Sequence, residues 1–352
     1  MKKLLKLTFF LYLFILSIEL IKKTSLALAP DIKLFLMQNL SPIKAVAVGW
    51  FTTSIVQSSG AVGSVMATFI GNNLITLPTT VYILIGASFG TSITALIISF
   101  ITESKQKKDF RHGFEIGLCY AIYSALLVAI IFPLEFFFQF FSKTSLFLAS
   151  QLGEKISFIK VPNIIEIITS PVINPITKQN HNLTIIILAF IILLIALRYL
   201  SKSIIEVFGG EDNARKFINK YFDSKYKAYI IGIILTAIVF SSSITIGLLV
   251  PLAVSRLISL KKAIPFILGA DLGTFTDLIL VSLIIGKTSS LAVALTVMLF
   301  GIIGGIIFLP HIDFLHKITK YTSKKLIKIS RKKAFYILLG FIAIPLAIIL
   351  IF

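Results

Sequence analysis

Three stretches of this chain, Leu183–Leu197, Leu291–Leu309 and Ala334–Phe352, run for 15 to 19 residues without one charged side chain. The hydrocarbon core of a bilayer needs about 20 apolar residues of helix to cross it. Inside it, every backbone N–H and C=O must be satisfied within the protein, which leaves helices as the natural solution for runs of this kind. The rest of the 352-residue chain agrees: 57% is hydrophobic and 14% charged, with a mean hydropathy of +0.98. Soluble domains are nearer 45–50% apolar and about 25% charged. The expected fold is an all-α polytopic membrane protein, which excludes a soluble enzyme. The single cysteine, Cys119, excludes disulfides and cysteine metal sites. The net charge of +19 fits basic residues collected in cytoplasmic loops and calls for no nucleic acid.

Two apolar segments carry polar interruptions, TTSIVQSSGAVGS at Thr52–Ser64 and TAIVFSSSITIG at Thr236–Gly247. A shift of 183 positions superposes them. Gly49 meets Gly232, Thr53 meets Thr236, and Ser58-Ser59 meet Ser241-Ser242, with 13 identities over the 46 positions from Gly49 to Thr94. Duplication of this kind recurs in secondary transporters. The shift also lays Leu5–Lys22 on Leu188–Ile205, an internal span, and Pro30 would follow any cut after Ala27-Leu28-Ala29. The N-terminal segment therefore reads as part of the mature protein rather than a signal peptide.

Lysines and arginines choose the topology. If each polar segment, about Lys44–Asn72 and Tyr229–Leu257, is a re-entrant hairpin, the 34 basic residues divide 25 inside and 9 outside. If each is a full crossing, they divide 18 and 16. The first arrangement obeys the positive-inside rule and makes the two halves inverted repeats, with a cytoplasmic N-terminus in the cell membrane. The expected organisation is a first repeat over 1–141 and an extracytoplasmic connector over 142–182, broken by Pro162, Pro171 and Pro175. A second repeat follows over 183–310, then a basic amphipathic segment over 311–333 on the anionic inner leaflet and a C-terminal transmembrane helix over 334–352.

Each hairpin is followed by a second interruption, GASFGTSIT from Gly86 and GADLGTFTD from Gly269. Paired glycines followed by threonine suggest a broken, locally unwound helix whose carbonyls and hydroxyls suit an alkali cation; close packing through small residues is the alternative. Thr53, Ser88, Thr91, Thr236, Asp271, Thr274 and Asp277 are the candidate cation ligands. Asp271 and Asp277 lie at mid-membrane depth, where a carboxylate is costly and usually functional. Glu19, Glu115 and Glu135, nearer the ends of apolar runs, read as structural. Helix ends starting just after the serines would present free N–H groups and partial positive charge to an anion. Gln57, Ser58, Ser59, Ser241, Ser242 and Ser243 are the candidate oxyanion-binding residues. An anion entering against an inside-negative potential is opposed by about 2.3 kcal/mol per charge per 100 mV, so co-transported cations are expected.

QSSG at Gln57–Gly60 and SSS at Ser241–Ser243, each followed by G-A-x-x-G-T, resemble the type II sodium/phosphate cotransporters, over roughly Leu5–Leu309. The resemblance implies two inverted repeats, each with a QSSS motif, and sodium-coupled symport of inorganic phosphate by alternating access, with no cofactor. Against that pattern Gly60 replaces the third serine of the first repeat and Phe240 the glutamine of the second, while Ser88 and Asp271 stand at the asparagine of the glycine element. A proton could replace one sodium at Asp271. A PhoU-like C-terminal domain, present in many bacterial relatives, is not expected here. The alternatives are a proton-coupled or export-direction transporter of phosphate or another oxyanion, and a non-transporting membrane sensor or assembly factor. An intramembrane serine protease would need a base beside its nucleophile, and His112, His181, His311 and His316 all fall at loops or span ends.

Overall fold

A computed structural model describes residues 2–28, 40–102, 107–156, 161–177, 181–207, 209–210, 213, 222, 224–329 and 331–351. Every regular element among them is a helix: α1 (Lys2–Ala27), α2 (Pro42–Val56), α3 (Ser59–Gly71), α4 (Leu77–Thr91), α5 (Ile93–Ile101), α6 (Lys107–Phe138), α7 (Phe140–Ile156), α8 (Val161–Thr177) and α9 (Asn182–Val207). The second half continues with α10 (Lys225–Val239), α11 (Ser242–Gly247), α12 (Leu249–Val254), α13 (Leu260–Gly273), α14 (Phe275–Ile285), α15 (Thr288–Phe308), α16 (Ile312–Ile329) and α17 (Arg331–Ile351). Five spans are long and apolar enough to cross a membrane: Lys3–Ala27, Leu77–Phe100, Asp109–Phe138, Leu260–Ile285 and Thr288–Phe308. The chain is an all-α membrane protein.

The echo in sequence is an echo in backbone. α2 ends at Gln57 with φ 58°, ψ 29°, and α10 ends at Phe240 with φ 56°, ψ 30°. Extended serines follow, Ser58 at φ −149° and Ser241 at φ −159°, both with ψ 104°. Each serine Oγ accepts the N–H three residues on, from Ala61 and from Ile244, which is N-cap chemistry. Left-handed backbone costs a side-chain-bearing residue about 1–2 kcal/mol, and both copies hold it at the same place.

The direction of packing shows that α3 doubles back. A Cβ built on Gly86 would lie 1.8 Å from Val46 O, one on Gly90 2.7 Å from Trp50 O, and one on Gly49 1.9 Å from Ile83 O. Contacts that advance together along both helices mean that α2 and α4 run parallel. Two parallel neighbours joined through one 13-residue helix require that helix to return, so α2 and α3 form a helical hairpin. The second half repeats the arrangement, with Gly269 against Tyr229 O at 1.9 Å and Gly273 against Ile233 O at 2.6 Å.

These contacts correct the expectation of unwinding. Gly86, Gly90, Gly269 and Gly273 lie within helices and let backbones touch. The break that follows each is a single residue, Ser92 or Thr274, still right-handed at φ −64° and −63°. Small residues here serve packing, as in other membrane helices.

α1 and α9, equivalent under the 183-residue shift, lie antiparallel: Lys6 Nζ meets Glu206 Oε1 at 2.8 Å and Phe10 stacks on Tyr199 at 5.0 Å. Phe14, Ile18 and Leu20 bury α1 in the core, as its place in the repeat requires. Residues 29 and 30 of the rejected cleavage site lie outside the described residues, as do 29–39 and 214–221, which carry part of the basic-residue count. The described cross-chain pairs Arg256–Asp109 and Lys261–Asp313 join segments that the charge partition puts on one side; Lys23–Asn174 does the same on the other.

The 142–182 connector is more ordered than expected. α7 and α8 occupy most of it, and Pro171 and Pro175 lie inside α8. Pro171 removes the N–H that would reach Ile167 O, and Ser170 Oγ supplies a bond to that carbonyl instead. Residues 157–160 and 178–180 lie outside the described set. Glu135, fully buried, accepts the N–H groups of Phe141 and Ser142 and the Ser142 hydroxyl, so it fastens the start of α7. Glu115, also fully buried, holds α16 through Lys320 and Ser323. Both glutamates are structural.

Candidate functional site

Residues of both halves line one small cavity of about 20 Å³. The first hairpin contributes Ser59 and Gly60, α4 contributes Ser88 and Thr91, α6 contributes Tyr120, and Asp271 and Thr274 close it from the second half. Leu278, Val297 and Phe300 are among its apolar walls. The space admits one water or small ion, less than a tetrahedral oxyanion of five heavy atoms fills.

Asp271 is 8% exposed, and its partners are phenols rather than a cation from a neighbouring span. Tyr120 donates to Oδ1 at 3.0 Å and Tyr123 to Oδ2 at 2.9 Å. Tyr120 also lines the cavity, so one hydroxyl joins the carboxylate to it. Neither tyrosine is among the candidate site residues named from the sequence. The signal was present in C-Y-A-I-Y, Cys119–Tyr123: two phenols three apart share one helix face, and in an apolar span each O–H needs a partner.

The remaining candidates distribute as follows. Ser58 and Ser241 are half-buried caps whose hydroxyl hydrogens stay free to donate, and Ser242 and Ser243 are buried beside them. Gln57 is exposed, on the left-handed residue of the first tip. Thr91 donates to Ala87 O and Thr274 to Ala270 O, so their remaining lone pairs are what they offer the cavity. Thr236 bonds Thr245 within its own half. Thr53 lies against Gly90 with its Oγ1 buried and unpartnered. Asp277 is not itself a lining residue but packs against Gly60, which lines the cavity. The described residues hold no cluster of three or more histidine, cysteine, aspartate or glutamate side chains able to bind a metal, so any cation would be held by hydroxyls, carbonyls and a single carboxylate.

Comparison with known proteins places the chain in a family. The family model described as Na+/Pi-cotransporter matches residues 13–158 and 192–349, one block in each half. Sodium-dependent phosphate transport protein 2A of Rattus norvegicus is 23% identical over 418 residues, covering 96% of this chain and 65% of that protein. Sodium-dependent phosphate transport protein 2B of Bos taurus is 24% identical over 453 residues, covering 98% and 64%. The chain therefore spans a little under two thirds of the length of these relatives. No solved structure matches it.

Proposed function

The chain belongs to the Na+/Pi-cotransporter family, and from that premise we propose that it is a secondary transporter coupling movement of inorganic phosphate to a sodium gradient. The observation that carries the reading is that one cavity is lined by Ser59 and Gly60 of the first serine-capped tip together with Asp271 and Thr274 of the second half, while the second half repeats the same serine cap at Ser241. Phosphate binds between the tips, to the hydroxyls of Ser58, Ser59, Ser241, Ser242 and Ser243, to the Gln57 amide, and to the N-terminal N–H groups of the half-helices, which favour an anion without a basic side chain. Sodium binds oxygen donors among Thr53, Ser88, Thr91, Thr236, Asp271, Thr274 and Asp277, and offsets the anion's charge.

The two halves are inverted repeats in the cell membrane with the N-terminus cytoplasmic. Supporting this, equivalent helices α1 and α9 pack antiparallel, so a two-fold axis relating them lies across the helices and, for spanning helices, in the membrane plane. A cavity this small fits one state of an alternating-access cycle, in which tip separation admits phosphate from one side at a time.

The test is uptake of labelled phosphate into proteoliposomes carrying the purified chain, under an inward sodium gradient, with choline and proton gradients as controls. Sodium-driven accumulation is expected. Ser58→Ala and Ser241→Ala abolish flux while the purified protein still folds, its melting lowered only by the lost cap, about 1 kcal/mol. Flux indifferent to sodium, or driven by the pH gradient alone, refutes sodium coupling, and no flux of any oxyanion refutes transport.

A further inference from the structure

The cavity accounts for Asp271 but leaves a second buried carboxylate outside it. Asp277 lies in the first turn of α14 and is 3% exposed. It faces the first hairpin's tip so closely that a Cβ on Gly60 would fall 1.9 Å from its Oδ2. Its Oδ1 is buried without a hydrogen-bond partner among the described residues. The Asp271 carboxylate, in contrast, accepts two phenol hydroxyls, one on each oxygen. A buried carboxylate with an oxygen left unpartnered is costlier than one with both oxygens hydrogen-bonded. The group that calls for a counter-charge is therefore Asp277.

The repeat shows that this is an oxygen position in both halves. The 183-residue shift places Asp277 on Thr94, whose Oγ1 is likewise buried and unpartnered, as are Thr53 Oγ1 and Ser54 Oγ in the same half. In the second half Thr236 is bonded to Thr245 and alanine replaces Ser54's counterpart. Neutral hydroxyls in one half thus correspond to one carboxylate in the other. Gly60 completes the exchange: any side chain there would collide with the carboxylate, so the glycine makes the room Asp277 uses.

We propose that Asp277, seated on Gly60 between α14 and the first hairpin, is the carboxylate that takes up sodium, and that Asp271 is a tyrosine-clamped wall of the cavity. This rests on the transport reading above and narrows its set of cation donors. Because Asp277 belongs to one half and Gly60 to the other, sodium there stabilises the tip in its docked position. Without sodium the bare carboxylate favours separation of the tip from α14. Differential binding to the two arrangements is what couples the ion to the motion.

The test measures melting of the purified chain in detergent, titrated with sodium chloride against choline chloride at constant ionic strength and at two pH values. The wild type melts higher as sodium rises. Asp277→Asn loses that shift while melting as a folded protein in choline, and Asp271→Asn keeps it. Gly60→Ala, which displaces the carboxylate, raises the sodium midpoint at least tenfold. A wild-type shift retained in Asp277→Asn, a shift lost in Asp271→Asn instead, an unchanged midpoint in Gly60→Ala, or a wild-type response to pH without one to sodium each overturns the assignment. The assay reads ion binding without flux, so absence of phosphate transport in proteoliposomes would refute the transport reading and leave the sodium-site result standing.

Discussion

Replacing Gly86 by alanine tests the parallel packing that defines the first hairpin. The new methyl carbon would start 1.8 Å from Val46 O, with Trp50 N at 2.7 Å. Both obstacles are backbone atoms of α2, so no rotamer change removes them, and the helices must part by more than 1 Å to restore an ordinary contact. Overpacking of a tight interior typically costs about 1–3 kcal/mol, and a backbone obstacle places this site at the upper end. With an unfolding entropy near 2.1 cal/mol/K per residue, 3 kcal/mol corresponds to a fall in melting temperature of roughly 4 °C. Gly340→Ala is the matched control. Its methyl meets nothing nearer than Ile344 Cδ1 at 3.6 Å, and alanine gains about 1 kcal/mol over glycine in a helix, so this variant melts slightly higher. Detergent-solubilised melting curves of the two variants should move in opposite directions. Equal shifts would mean that α2 and α4 are not in backbone contact, and the argument for a hairpin would fail with them.

Three further outcomes follow from particular contacts. Tyr123→Phe leaves one oxygen of Asp271 without its donor and should lower stability by about 1–3 kcal/mol; a melting curve superposable on wild type would show that the bond is absent. Glu135→Gln can no longer accept from both N–H groups at the start of α7 and the Ser142 hydroxyl at once, and a loss of about 1–2 kcal/mol is expected, with proteolysis at Gln139 as an independent readout. His316, on α16 beside Lys320 and Lys261, has its pKa lowered by burial first and by those lysines second. A histidine harder to protonate in the fold than in the unfolded chain makes the unfolded state bind more protons, so stability falls as pH drops below the usual histidine value of about 6.5. His316→Gln should flatten that acid-side decline in melting temperature, and an unchanged slope between pH 7 and 5 would count against it.

Much of the architecture was legible because the bilayer and the duplication are written locally. The uncharged run Leu291–Leu309 coincides with the span Thr288–Phe308, Ser58-Ser59 and Ser241-Ser242 gave the caps, and the packing of Gly86 on Val46 shows the chain reversal that the basic-residue count favours. The glycines of G-A-x-x-G-T were read less well. Glycine followed by threonine is compatible with unwinding and with close approach, and only the neighbouring backbone decides between them. The same limit applied to Pro171, where Ser170 Oγ donates to the carbonyl that the lost N–H would have reached.

By itself, then, the sequence determined an all-helical membrane protein made of two related halves, each carrying a serine-capped reversal, since those features depend on period, charge and residues near one another in the chain. Tertiary structure decided which acidic side chain is satisfied and which is not. Tyr120 and Tyr123 lie 151 and 148 residues from Asp271, and Gly60 lies in the opposite half from Asp277. Hydrogen bonding and collision act over a few ångströms of space, so separation along the chain conceals them until the helices are packed.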